Sequence, residues 1–106
     1  MRKLILAAAL VIGGTFAAEA DTLATLNASQ IATGKLDSCF DSNFQPGRDK
    51  PGSDASKNRL LRACAAEWDE AAEACHVNTG NPIKDCRKQT GSLAEDYLNL
   101  KGAGLH

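Results

Sequence analysis

The sequence predicts a small all-α domain of three helices, in which a helical hairpin and a weaker N-terminal helix are stapled by two disulfides. Two long segments repeat apolar residues at steps of three and four, a pattern typical of amphipathic helices. Four cysteines follow an N-terminal export signal. The core is thin, because the aromatic residues beyond that signal are only Phe40, Phe44, Trp68 and Tyr97. Small domains with poor cores need covalent staples.

Residues 1–20 are predicted to be a cleavable secretory signal peptide. Arg2 and Lys3 supply its positive start, an apolar run of about 15 residues follows, and the sequence Ala-Glu-Ala precedes the cleavage point. A retained transmembrane anchor is the alternative, but the run is shorter than the roughly 20 residues that span a bilayer. Residues 21–106 are therefore expected to form one domain, periplasmic or secreted, without stable membrane insertion.

The charge balance argues against one class of partner. Residues 21–106 contain ten Lys or Arg and twelve Asp or Glu, which gives a formal net charge of −2. Proteins that bind nucleic acids carry a basic patch. The nearest candidate, Arg59 and Arg62 beside Lys57, is explained more simply as the solvated face of a helix. We expect no nucleic-acid partner.

The first helix is predicted over residues 27–44, where Gly34 and several Ser and Thr residues weaken helix propensity. Asn27 followed by Gln30 resembles a capping box. Residues 45–54, with the sequence QPGRDKPGSD, contain two Pro-Gly pairs and no large apolar side chain. This composition predicts a flexible, exposed loop.

The second helix is predicted over residues 55–76, which lack Gly and Pro and are rich in Ala. Its apolar stripe consists of Leu61, Cys64, Trp68, Ala71 and Cys75. The third helix is predicted to start at Asn81-Pro82 and to continue the same spacing from Ile83 through Leu100. Gly91 leaves two alternatives open, a break with a restart or a kink. Residues 102–106 are expected to fray.

Helical geometry selects one disulfide pairing. Cys64 and Cys75 are separated by about 16 Å along one helix, whereas bridged cysteines need their Cα atoms within roughly 7 Å. If the second and third helices form an antiparallel hairpin, Cys75 lies one turn before the bend and Cys86 about one turn after it. Pairing Cys64 with Cys86 would leave an axial offset on the order of 12 Å. We therefore predict Cys75 with Cys86, and Cys39 with Cys64.

No metal, cofactor or catalytic centre is predicted. Structural zinc sites pair their ligands at C-x(2-4)-C spacing and dithiol redox catalysts use C-x-x-C, and the sequence contains neither. His76 and His106 are too few and too terminal for a catalytic centre, and no Ser is matched to a base at a known motif spacing. The chain is not expected to be an enzyme.

The second helix carries the candidate binding residues. Glu67, Glu70 and Glu73 follow one another at steps of three, close enough for a cation site, although a solvated acidic face explains them equally well. Trp68 belongs to the residue type most common at binding hot spots. Its place on the apolar stripe nevertheless favours core packing over contact with a partner.

These features favour a non-enzymatic exported protein, inhibitor- or chaperone-like, that binds or modulates another envelope or extracellular protein. The alternative is a carrier of a small ligand or a cation, which would use a helical cavity or the acidic helix face. An open apolar surface is expected for a binding module, and a closed pocket with a few polar groups is expected for a carrier.

Reduction is expected to unfold the domain. Each bridge contributes about 3 kcal/mol in the chain-entropy model, and the total stability of a small domain is only about 5 kcal/mol. The reduced protein should therefore lose most of its cooperative thermal transition, measured by circular dichroism with and without a thiol reductant. A reduced sample that melts at the same temperature as the oxidised one would contradict this expectation.

Overall fold

The computed structural model describes the backbone from residue 13 and the side chains from residue 27. This part of the chain forms four helices and no strand: α1 (Gly13–Asn43), α2 (Asp54–Ala63), α3 (Ala65–Thr79) and α4 (Ile83–Gly102). The predicted all-α domain with two disulfides is confirmed. Residues 1–12 of the predicted signal peptide lie outside the described residues, and residues 13–20 begin α1. Cleavage of the signal stays a prediction.

Both predicted disulfides are present. Cys39 and Cys64 are bonded with their Cα atoms 6.0 Å apart, and Cys75 and Cys86 with their Cα atoms 5.7 Å apart. The first bond joins α1 to the junction of α2 and α3, and the second closes the hairpin of α3 and α4. Helix α1 runs antiparallel to α3, since Lys35, four residues before Cys39, pairs with a glutamate six residues after Cys64.

The helix predicted over residues 55–76 is divided at Cys64 into α2 and α3. Cys64 has φ −109° and ψ 31°, outside the helical range. Hydrogen bonds continue on both sides, because the Cys64 N–H donates to the Leu60 carbonyl at 3.0 Å and the Trp68 N–H donates to the Cys64 carbonyl at 2.8 Å. Cys64 is fully buried and bonded to Cys39 of α1. We attribute the break to this tertiary bond.

The core lies between α1, α3 and α4, with α2 closing one end. Its largest fully buried side chains are Tyr97, Phe40, Leu36, Leu60 and Leu98. The rings of Phe40 and Tyr97 pack with their centroids 5.8 Å apart. Among the described residues of α1, burial begins at Ala32, because Asn27, Ala28 and Ile31 are exposed. A smaller cluster surrounds the second disulfide.

Helix α4 is continuous through Gly91, so neither a break nor a restart occurs there. The backbone at Gly91 faces the indole of Trp68 on α3. A Cβ atom at Gly91 would lie 3.1 Å from Cζ2 of Trp68. Gly91 is therefore explained by the close approach of α3 and α4 and not by the end of a helix.

Substitution of Gly91 by Leu is expected to separate α3 from α4. A side chain at this position must displace the indole, and such overpacking costs about 1–3 kcal/mol of the free energy of unfolding. The measurement is urea unfolding of the oxidised protein. Gly34→Leu is the matched control, because Gly34 is also helical but has open space at its Cβ position. The control should gain about 0.5–1 kcal/mol from helix propensity. Equal effects at the two positions would contradict the packing account.

Candidate functional site

An open groove runs between α1 and α3 on one flank of the domain. Its α1 wall presents Gly34, Ser38 and Ser42, which follow at intervals of four and therefore share one helix face. Ala66 stands on the α3 wall. Because these residues have small side chains or none, the surface between α1 and α3 is open.

Charged side chains line the same groove. Glu67 and Glu70 stand on its α3 wall and Lys35 on its α1 wall. The Lys35 Nζ atom contacts Oε2 of Glu70 at 3.0 Å, with both side chains about half exposed. Exposed pairs of this kind contribute at most about 1 kcal/mol. Glu67 is half buried and forms no ion pair with any residue from 27 to 106. The groove therefore carries an uncompensated negative charge.

The Cys39–Cys64 disulfide lies at one end of the groove. The Asn43 side-chain amide donates to the Cys39 carbonyl at 2.9 Å and lies 3.5 Å from the Cys39 sulfur. The two sulfurs and a carboxylate oxygen of Glu67 lie within 4.8 Å of one another. Metal sites use cysteine as a thiolate, and these sulfurs are bonded to each other. In the oxidised protein the Glu67 carboxylate is therefore the one member of this three-residue group that could bind a cation.

The other candidate residues from the sequence lie outside the groove lining. Glu73 is exposed one turn further along α3. Trp68 is half buried against α4, where its Nε1–H donates to the Arg87 carbonyl at 3.0 Å. The Arg87 guanidinium stacks 4.4 Å from the indole centroid and pairs with Asp69. Trp68 therefore packs inward, as its position on the apolar stripe predicts, and α3 brings only Glu67 and Glu70 together at the groove.

A buried ion pair that the sequence did not reveal holds the loop between α1 and α2. Asp49 is only 5% exposed and receives hydrogen bonds from the Arg59 guanidinium and, at 2.8 Å, from the Gln45 backbone N–H. Arg59 also donates to the Asn43 carbonyl at 2.9 Å. Arg59, which the sequence assigns to a solvated face, instead fastens the loop to α2. No spacing rule marks Asp49, because an aspartate between Arg48 and Lys50 in a polar loop looks solvated.

The environment of Asp49 keeps it ionised. Burial by itself raises the pKa of a carboxyl group, but hydrogen bonds from Arg59, the Gln45 backbone and Ser56 outweigh burial and hold the pKa of Asp49 below its usual value. A carboxyl group with a lowered pKa stabilises the folded state above its unfolded pKa. This stabilisation is lost as the pH falls through the folded pKa.

Comparisons with protein-family models, with curated proteins and with solved structures find no match to this chain. Within the part of the chain that the structure describes, no helix combines the length and the apolar character needed to cross a membrane. The fold and the groove define a small helical, disulfide-stapled domain with an open, negatively charged surface cleft.

Asp49→Asn is expected to destabilise the protein and to flatten its acid dependence. The amide cannot pair with Arg59 as a charge, and a poorly satisfied buried polar group costs about 1–3 kcal/mol. Between about pH 5 and pH 2 the wild-type melting temperature should fall more steeply than that of the variant, because only the wild type must protonate Asp49. Asp96→Asn, at an exposed carboxylate of α4, is the control. A variant whose acid dependence parallels the wild type would show that Asp49 does not contribute.

Proposed function

We propose that this is a small exported, non-enzymatic protein that binds a segment of another envelope or extracellular protein in the groove between α1 and α3. Inhibition or chaperoning of that partner is the expected consequence of binding. The groove itself is the observation that carries this proposal: it is lined by small and charged side chains, and not by the open apolar surface expected of a binding module. Glu67 in its lining has no ion-pair partner among residues 27–106. Two disulfides are consistent with an oxidising, extracellular-type compartment.

The charge of the groove defines the chemistry of the bound segment. Glu67 and Glu70 together outnumber the single cation Lys35. A segment with a Lys or Arg side chain complements Glu67 directly and competes with Lys35 for Glu70. Electrostatic complementarity of this kind contributes to specificity and to the rate of association. The proposed partner therefore presents an extended basic segment with small residues beside its cations.

The two histidines of the chain lie away from the groove. The Nδ1 atom of His76 lies 2.6 Å from the Asn81 carbonyl, and His106 contacts Asp37. Neither histidine lines the groove.

A carrier of a cation or a small ligand has less support. Glu67, Glu70 and Glu73 do not bring their carboxylate oxygens together as a group within 4.8 Å, and Glu70 is engaged by Lys35. A second depression, between the start of α2 and α4, has about 180 Å³ and is lined mainly by polar residues. Apolar ligands are bound in pockets of about 300 Å³ or more with mainly hydrophobic linings.

Binding of a basic segment is tested with a fluorescein-labelled peptide of alternating lysine and alanine, titrated into the oxidised, exported protein and followed by fluorescence anisotropy. Glu67→Gln should weaken binding about two- to fivefold, because it removes the carboxylate that has no ion-pair partner among residues 27–106. Glu73→Gln removes the same charge from the same helix outside the groove and should change binding less than about twofold. Addition of salt should weaken wild-type binding.

Occupation of the groove by the peptide is tested with Ser38→Trp, which fills the groove and should abolish peptide binding without lowering the melting temperature.

A photo-cross-linking residue at Ser42 should then capture a protein with a basic segment from the exported fraction, and one at Glu73 should not. Equal binding of lysine-alanine and glutamate-alanine peptides, or equal losses in Glu67→Gln and Glu73→Gln, would refute the groove as the binding site.

A further inference from the structure

The two disulfides differ in how open they are to solvent. Cys39 is partly exposed and lines the groove between α1 and α3, whereas its partner Cys64 is 0% exposed. Cys75 is 8% exposed and Cys86 is 0% exposed, and neither of them lines the groove or the smaller depression beside α4. Thiol–disulfide exchange requires a thiolate to reach one of the two sulfurs. Among the four cysteines, Cys39 is therefore the one that a thiol in the groove can reach.

A side-chain amide faces both sulfurs of this bond. The Asn43 Nδ2 atom lies 3.5 Å from the Cys39 sulfur and 3.8 Å from the Cys64 sulfur. The amide also donates to the Cys39 carbonyl at 2.9 Å, which orients its N–H groups, and not its oxygen, toward this end of the groove. A hydrogen-bond donor favours a thiolate over a thiol, whereas burial disfavours it. The Asn43 amide thus offsets part of the cost of releasing Cys64 as a thiolate.

The charge beside the bond discriminates among thiols. A carboxylate oxygen of Glu67 lies within 4.8 Å of both sulfurs, and Glu67 has no ion-pair partner among residues 27–106. This carboxylate repels a thiolate that approaches Cys39. An ammonium group on the incoming molecule counteracts the repulsion, and a second negative charge adds to it. An aminothiol therefore fits the site better than an acidic thiol does.

We propose that Cys39 is a covalent acceptor site for aminothiols, which enter along the groove and open the Cys39–Cys64 bond by thiol–disulfide exchange. The thiolate of the aminothiol forms a bond to the Cys39 sulfur, and the bond between Cys39 and Cys64 breaks with its electron pair on Cys64. The incoming sulfur is oxidised to the disulfide level, and the Cys64 sulfur is reduced to a thiolate that takes a proton from water. Attack by Cys64 on the adduct expels the aminothiol and restores the original bond.

The exchange changes what holds α1. In the oxidised protein the Cys39–Cys64 bond joins α1 to the junction of α2 and α3, and the Cys75–Cys86 bond closes the hairpin of α3 and α4. An adduct on Cys39 leaves the hairpin bond in place and releases α1 from its covalent attachment. It also places a cation near Glu67. The site thereby links an aminothiol to the position of one wall of the groove.

The position of attack is tested by incubating the oxidised protein with cysteamine without denaturant. Samples are quenched with acid at successive times, alkylated and mapped by mass spectrometry. The first adduct should be on Cys39, with Cys64 as the free thiol. Its initial rate should exceed that of any adduct on Cys75 or Cys86 at least about tenfold, because those sulfurs become accessible only when the domain opens. A first adduct on any other cysteine would overturn the proposal.

The route of entry is tested with Ser38→Trp, which fills the groove. This variant should slow formation of the Cys39 adduct at least about fivefold, because access to the sulfur limits the exchange. Glu73→Trp places the same side chain on α3 outside the groove lining and is the matched control, which should react at the wild-type rate. If cysteamine instead reached the sulfurs only after global unfolding, Ser38→Trp would react as fast as the wild type, and the groove would be excluded as the route.

Charge selection is tested by comparing cysteamine with 2-mercaptoethanesulfonate, which is of similar size and carries a negative charge. Glu67→Gln should lower the ratio of the two rates about two- to fivefold, the size expected of an exposed charge pair. Glu73→Gln should leave the ratio unchanged, and an unchanged ratio in Glu67→Gln would refute selection of aminothiols. These rates require no bound peptide. A lysine-alanine peptide that fails to bind would therefore refute the proposed function and leave this reaction intact.

Discussion

The Cys39–Cys64 disulfide determines where α1 lies, and the groove and the core both depend on that position. Helix α1 contains Gly34 and many Ser and Thr residues, and its described core stripe is short. A ten-residue loop separates it from α2. The bond spans 25 residues of sequence and contributes about 3 kcal/mol in the chain-entropy model. It holds the small side chains of α1 beside α3, so that they form the wall of a cleft.

Two aspartates complement the disulfides where apolar residues are few. Asp49 accepts hydrogen bonds from the loop and from α2, and Asp41 accepts hydrogen bonds from the last turns of α4. In both cases the carboxylate accepts several hydrogen bonds, and these lower its pKa. The loop before α2 and the end of α4 are thus held in part by ionised groups, which ties their stability to pH in a way that a purely apolar core would not.

Regular geometry made much of the fold predictable from the sequence. The helical rise separates Cys64 from Cys75, and together with the predicted antiparallel hairpin it leads to the observed pairing. The apolar spacing places Trp68 on the inward face. The break at Cys64 was not predictable, because local propensity favours a continuous helix and a tertiary bond overrides it. The low helix propensity of Gly91 suggested a break with a restart or a kink, whereas the structure shows a continuous helix in which this glycine makes room for the Trp68 indole.

The candidate site was predicted less completely. Helical steps of three placed Glu67 and Glu70 on one surface, but the groove requires the position of α1, which a loop and a disulfide determine. Glu73 follows Glu70 at the same step of three but lies outside the groove lining. Asp49 and His106 were not singled out as interacting residues, because their partners are distant in sequence or lie in segments without periodicity.

The two disulfides also define how the domain carries tension. A force applied to the two ends of the chain follows the shortest covalent path, from Cys39 to Cys64, along α3, and from Cys75 to Cys86. The loop before α2 and the bend before α4 lie in closed rings beside that path and bear none of the load. The backbone of α3 between the two disulfides is therefore the segment through which the force passes. The carboxylates on its groove face keep their spacing under load until the helix itself unwinds.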